Sequence, residues 1–316
     1  MDRRNLWIAI FLGLVIPWIL LSGREMAIDS TDTPTESLGT MHEDEQTNMI
    51  CVLDKEGSVQ TIELEKYILG VVIGEMPEDF AIEALKAQAV VARTFVLKNQ
   101  STGWKHENAA VCMDSSCCQN YKDPDSYQSA GGELKVYLKA VELTAGQILT
   151  YDGDLIEATY FSCSGGRTED AQAVWGTDYP YLRSVESPGE ETAAHFTDTV
   201  TISASEFQKK MGVNYSGMPG EWIGQVSYTA GGGVDTIYIG GVAYSGVEIR
   251  RKLGLYSSAF IMNAVGERIT ITTKGFGHRV GMSQYGADAM AVQGNLYDEI
   301  LAYYYPGTCL QLMSNI

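Results

Sequence analysis

The stretch that most narrows what this chain can fold into is 64–100, LEKYILGVVIGEMPEDFAIEALKAQAVVARTFVLKNQ. Ile68, Val71 and Val72 recur at helical spacing, and Glu75 follows Val71 by four residues and so shares its face. Pro77 ends that run, because its ring carries no N–H and cannot continue a helix. A longer helix is predicted next, with Ile82, Leu85, Ala89, Ala92 and Val96 on one face. Ala81, Ala84, Ala87, Ala89 and Ala92 leave room for other elements to approach closely, which puts this helix at the centre of a core.

The rest of the chain is organised around that pair. In MICVLDKEGSVQTIEL, 49–64, apolar and polar residues alternate around a Lys-Glu-Gly turn, so a hairpin is expected, with Cys51 a small buried hydrophobe in its first strand. Strands are expected over much of 140–280, including hairpins in GEWIGQVSYTAGGGVDTIYIGG, with a short helix at GVEIRRKLGL and further helix over 284–304. The fold class read from this is α+β: helices and antiparallel sheets forming a two-lobed domain with a groove over 49–316, preceded by one transmembrane helix.

That span is read from 6–21, an uncharged run behind Arg3 and Arg4 with Trp7 and Trp18 near its ends; 1–23 is taken as a cytoplasmic tail and anchor. A cleaved signal peptide is the rival, but LLSGREMA lacks the small-residue pattern of a cleavage site. Residues 24–48, rich in Asp, Glu, Ser and Thr, have no apolar face to offset their ordering entropy and read as a flexible acidic stalk. The net charge of −18 and the lack of Lys/Arg stripes argue against nucleic acid as a partner.

Several residues could carry chemistry. Glu75 ends an apolar run, where partial desolvation would favour its protonated form and suit a proton donor; the other reading is a surface glutamate at a helix end. Arg93 flanks the apolar stripe and could reach an anionic or sugar-bearing site, or be a solvated helix residue. Trp175, Tyr179 and Tyr181 resemble the aromatic wall of a carbohydrate groove, although aromatics are also common in cores. The glycines of KGFGHRVGMSQYG allow tight turns that expose His278, Ser283, Gln284 and Tyr285. Cys163 has no histidine nearby in sequence, and His195 falls in a loop. In WKHENAAVCMDSSCCQNY, 104–121, one histidine and three cysteines leave three readings open: metal ligands, disulfides or a reactive thiol.

The blocks YILGVVIGEMPEDFAIEALKAQAVVARTF, YFSCSGGRTED with VWG and PYLRSVESP, and GFGHRVGMSQYGADAMA with ILAYYYPGT together resemble the stage II sporulation protein D family, membrane-anchored lytic transglycosylases that remodel peptidoglycan during engulfment. The resemblance covers nearly everything after residue 48. It implies a peptidoglycan lytic transglycosylase that cuts MurNAc–GlcNAc bonds to 1,6-anhydro products, with Glu75 as single acid/base. It also implies substrate contacts at Arg93, Tyr181, Tyr285, His278 and Gln284. A structural zinc is implied at His106, Cys112, Cys117 and Cys118, where Cys117 takes the place of a second histidine; Cys3His is a common closed zinc set. Implied partners are peptidoglycan glycan strands, the membrane through a single-pass anchor, and stage II sporulation proteins P and M, with the catalytic domain on the extracytoplasmic side of the mother-cell membrane. The alternative is a non-catalytic amidase enhancer that binds cell wall and stimulates a partner hydrolase.

Overall fold

A computed structural model describes residues 49–313. The expected anchor, 1–23, and stalk, 24–48, lie outside the described residues. The chain opens with the expected hairpin, β1 (Met49–Leu53) and β2 (Val59–Glu63), paired antiparallel from Met49 opposite Glu63 to Leu53 opposite Val59. Its alternation buries Ile50 and Val52. Helix α1 (Leu64–Glu75) follows without a loop, because the Glu63 carboxylate accepts the N–H groups of Glu65 and Lys66 and so caps the helix.

Helix α2 (Ile82–Ser101) is the centre of the larger apolar cluster, as its small side chains predicted. It packs against α1, the Lys135–Glu142, Gln284–Val292 and Tyr297–Tyr304 helices and the Gln147–Tyr151 strand. Tyr67, Ile68, Val72, Leu85, Val90 and Ile300 are sealed in this cluster, each burial worth about 1.5–3 kcal/mol. Ala81 precedes α2 with no side-chain cap, and its N–H donates instead to Asp288 Oδ1 at 2.7 Å, which ties the start of the central helix to the Gln284–Val292 helix.

A second apolar cluster, around Phe207, Trp222, Ile237, Ile239, Ile249, Ile269 and Ile271, forms where two three-stranded antiparallel sheets meet the Ala204–Met211 and Gly246–Leu253 helices. The hairpins over 223–245 and the short helix after them are those the turn signals predicted. Between the clusters lies a sealed ion pair: Arg279 Nη1 is 3.3 Å from Glu169 Oε1, and that carboxylate also accepts the Gly233 N–H at 2.7 Å and the Thr229 hydroxyl.

The expected fold class is corrected in its sheet architecture. The described residues form a mixed α/β arrangement of five small sheets that is not purely antiparallel: strand β3 (Val111–Cys112) adds to β1 in parallel, and Met282–Ser283 pairs in parallel with Tyr160–Phe161. In the first case β2 runs antiparallel to β1 and the chain then returns through two helices to enter β3 opposite in direction to β2, hence parallel to β1. The preceding membrane helix is expected at 1–23, outside the described residues; among the described residues no helix is long and apolar enough to cross a membrane.

Arg93 is the largest sealed side chain, and its fork is used entirely inside the fold. Nε and Nη2 donate to the two oxygens of Glu65 at 2.8 and 2.6 Å, and Nη1 donates to the Gln147 carbonyl at 2.9 Å. One guanidinium thereby joins α1, α2 and the Gln147–Tyr151 strand. Arg93→Ala removes these bonds and leaves a hole, so we expect it to lower unfolding stability by ~3 kcal/mol in a denaturant titration. A loss below ~1 kcal/mol would show that the pair does not hold these elements.

Candidate active site

Glu75 is the last residue of α1, since Met76 turns to extended backbone ahead of Pro77. Its half-buried carboxylate meets three donors from three distant segments. Oε1 accepts the Asn120 backbone N–H at 2.7 Å and the Tyr160 hydroxyl at 3.1 Å, and Oε2 accepts the Gln284 side-chain amide at 3.2 Å. Burial raises the pKa of Glu75, while all three hydrogen bonds oppose the rise by stabilising the ionised form. Burial prevails, so the group holds its proton more tightly than an ordinary glutamate. None of its three partners is charged.

The Asn120 contact depends on two glycines of α1. A Cβ on Gly70 would strike the Tyr121 ring, and one on Gly74 would come within 2.5 Å of the Asn120 carbonyl oxygen. Gly70 and Gly74 lie four apart on one helix face, the face on which segment 119–122 is laid. Glycine inside a helix costs about 0.5–1 kcal/mol relative to alanine, and here that cost allows the close approach. The Asn120 side chain completes the seam by donating to the Gly74 carbonyl at 2.6 Å. Beneath it the buried Tyr67 hydroxyl donates to Gln119 at 3.2 Å, and the Tyr67 ring stacks on Tyr121 at 5.5 Å.

Gln284, expected at the site from sequence, does reach Glu75; it opens the Gln284–Val292 helix, which Ser283 caps. Tyr285, next along, sets its ring against Phe80 at 5.0 Å. The glycine loop is drawn to Tyr160 because Gly281, at φ +83°, lies where a Cβ would collide with the Thr159 carbonyl oxygen. His278 stands one layer further out, 5.7 Å from Phe161, and its Nδ1 accepts the Val280 N–H at 3.1 Å. Burial, with the nearby positive charge of Arg250 adding to it, lowers the His278 pKa to about 4, so the ring is neutral at physiological pH.

Two of the expected substrate contacts are placed elsewhere. Arg93 pairs with Glu65 at the opposite end of α1, ten residues or about 15 Å from Glu75 along the helix. Tyr181 is buried, its hydroxyl accepts the Glu157 N–H at 3.1 Å, and its ring packs on Tyr151 and Tyr179. Conversely, sequence reasoning missed Tyr160 and Asn120. Tyr160 sits in a strand-like run with nothing to single it out, and Asn120 serves through its backbone, for which side-chain type carries no signal.

The His106, Cys112, Cys117 and Cys118 ligand atoms all lie within 4.8 Å of one another. His106 Nε2 is 3.3 Å from Cys118 Sγ and 3.7 Å from Cys117 Sγ, and the two adjacent sulfurs are 3.9 Å apart. A tetrahedron with Zn–S bonds of ~2.3 Å and Zn–N bonds of ~2.05 Å needs edges of roughly 3.8 Å between sulfurs and roughly 3.6 Å from sulfur to nitrogen. The donor set therefore fits a closed Cys3His zinc cage. All six cysteines are free thiols, so no described pair forms a disulfide. The cluster ends at Cys118, two residues before Asn120.

The family profile of the Stage II sporulation protein domain matches residues 53–151, a span that contains Glu75 and the whole Cys3His cluster. The chain is 43% identical over 259 residues to the stage II sporulation protein D of Bacillus subtilis (strain 168), covering 79% of this chain and 75% of that one. It is 43% identical over 258 residues to the Bacillus amyloliquefaciens protein of the same name, covering 79% and 74%. The Bacillus subtilis amidase enhancer is 28% identical over 298 residues, covering 76% of this chain and 40% of that protein.

The raised Glu75 pKa has a consequence for stability. The folded state binds the proton more tightly than the unfolded chain, so the stability that protonation contributes is lost as pH rises through the ordinary glutamate range to the raised value. Glu75→Gln cannot ionise and escapes that loss. Its melting temperature should gain on the parent's as pH rises through and above the ordinary glutamate range, and an unchanging gap in a thermal-melt series would refute the tuning.

Proposed function

The chain belongs to the stage II sporulation protein D family, and from that premise and the geometry at Glu75 we propose that it is a sporulation lytic transglycosylase acting on the glycan strands of peptidoglycan. The observation that carries this is a single carboxyl whose proton affinity burial has raised, held only by neutral hydrogen-bond donors. A glycosidase that delivers water normally uses two carboxyl groups, one on each side of the bond. An enzyme whose substrate supplies its own nucleophile needs one.

In the proposed reaction the protonated Glu75 gives its proton to the oxygen joining MurNAc C1 to GlcNAc, and the C1–O bond breaks. The resulting carboxylate takes the proton of the MurNAc 6-hydroxyl as O6 bonds to C1, closing the 1,6-anhydro ring with no water consumed and Glu75 protonated again. Attack within one sugar replaces a bimolecular step, which removes much of the entropic cost. The three donors stabilise the carboxylate midway through the cycle, and burial restores its affinity for the proton at the end. Of the three, the Asn120 backbone N–H can only donate, whereas the Tyr160 hydroxyl and the Gln284 amide, through its oxygen, can also accept and so can adjust when Glu75 is protonated.

The Cys3His cluster is proposed to hold a structural zinc. With four protein donors no position is left for substrate or water, so the ion would act by fixing the fold of 104–121. Through Asn120, two residues beyond Cys118, that rigidity reaches Glu75. The binding-only alternative of an amidase enhancer leaves the tuned proton affinity of Glu75 without a use.

Glu75→Gln should abolish release of anhydromuropeptides from purified glycan strands, read by mass spectrometry of the products; substantial residual release would sink the assignment. One zinc per chain is expected by elemental analysis of the purified protein, falling to near zero in Cys112→Ser. Folded protein free of zinc would exclude the cage.

A further inference from the structure

Outside the Glu75 site the described surface carries one cluster of exposed aromatic rings held in a fixed arrangement. Trp175 ends the Ala171–Trp175 helix, is 42% exposed, and lies 5.2 Å from His278, whose ring also meets Phe161. Phe276, two residues before His278, is 38% exposed and meets Tyr256 edge to face at 5.2 Å. Tyr256, 39% exposed, stacks on His195 at 4.1 Å, and His195 also meets Phe276 at 5.1 Å.

The cluster is rigidly joined to the active site. Phe276 and Cys163 exchange backbone hydrogen bonds of 2.7 and 3.2 Å, and the Gly277 N–H donates to the Tyr256 carbonyl at 3.0 Å. From Cys163 the chain runs back through Phe161 to Tyr160, whose hydroxyl touches Glu75. Cys163 is three steps along the chain from Tyr160, a reach of at most about 10 Å between their backbones, which sets the rings apart from Glu75 but on the segment that contacts it.

Its chemistry is not that of a hydrophobic protein interface. His195 Nδ1 and Asp198 Oδ2 are 2.8 Å apart, which orients the imidazole and, among the described residues, leaves Nε2 without a partner. Aromatic faces beside a fixed polar edge suit a sugar, which offers a face of C–H groups and a rim of hydroxyls. The chain's net charge of −18 disfavours a strongly anionic polymer.

We propose that Trp175, Phe276, Tyr256 and the Asp198-oriented His195 form a distal subsite for the same glycan strand, engaging sugars beyond those joined at the bond cut by Glu75. The inference rests on the proposed glycan substrate. Its function would be to hold long strands in register, so it adds affinity only for substrates that reach it.

The test uses the inactive Glu75→Gln chain as parent, peptide-free glycan strands longer than ten disaccharides, and a tetrasaccharide of the same repeat. Tyr256→Ala, Phe276→Ala and Trp175→Ala each remove an exposed ring, and Tyr238→Ala removes one equally exposed on the Val234–Ile239 strand. We expect the first three to weaken binding of long strands about fivefold or more while leaving tetrasaccharide binding unchanged, and Tyr238→Ala to change neither. Unchanged long-strand binding in all three ring variants overturns the subsite and leaves the Glu75 reading standing. Equal losses on the tetrasaccharide, or a loss in Tyr238→Ala of the same size, also overturn it. A parent that binds no glycan of either length overturns both.

Discussion

The close approach of segment 119–122 to helix α1 is the contact on which the site depends. Two glycines on one helix face remove the side chains that would hold the segment off, and the space gained brings the Asn120 N–H to 2.7 Å from the Glu75 carboxylate. Everything else about Glu75 is set by what that seam encloses. Tyr67, Gln119 and Tyr121 fill it from the core side, and Tyr160 and Gln284 close it from the other. The Cys3His cluster ends two residues upstream on the same segment, so a group of side chains remote from Glu75 in sequence adjoins one of its hydrogen bonds.

At Glu75 two effects of opposite sign are set against each other. Burial favours the protonated carboxyl, and three donors favour the carboxylate. An acid that must give up a proton and later recover it needs both. Burial alone would raise its proton affinity further, and the donors alone would lower it. The neutral character of all three donors matters here, because a cation in any of their places would depress the pKa strongly.

The far wall is held by a different means. Arg279 takes a left-handed conformation, φ +67°, sparsely populated for a residue with a side chain. Its guanidinium offsets that strain with bonds to the carbonyls of Ser164 at 2.7 Å, Arg167 at 2.7 Å and Gly231 at 2.8 Å, and with the sealed pair to Glu169. This anchors the glycine loop between the two apolar clusters, and with it His278 on one side and Gln284 on the other. Arg93 does the same for the opposite end of α1, which is why a charged residue expected at a substrate is found in the core.

Local patterns in the sequence determined a good deal. The alternation over 49–63, the Pro77 break, the alanine-rich α2 and the hairpins over 223–245 each follow from a periodicity or turn chemistry confined to neighbouring residues, and each formed. The four zinc-type donors are legible as well, since 104–121 brings them within a span that one loop can close. Tertiary structure alone decided which residues meet Glu75. Its three partners lie 45, 85 and 209 residues away, one of them a backbone amide, and two strand pairs run parallel because the chain returns through distant elements. The destinations of Arg93 and Tyr181 were undetermined for the same reason: a polar side chain on an apolar face is stable only with a partner, and the partner's identity depends on which far segment packing brings alongside.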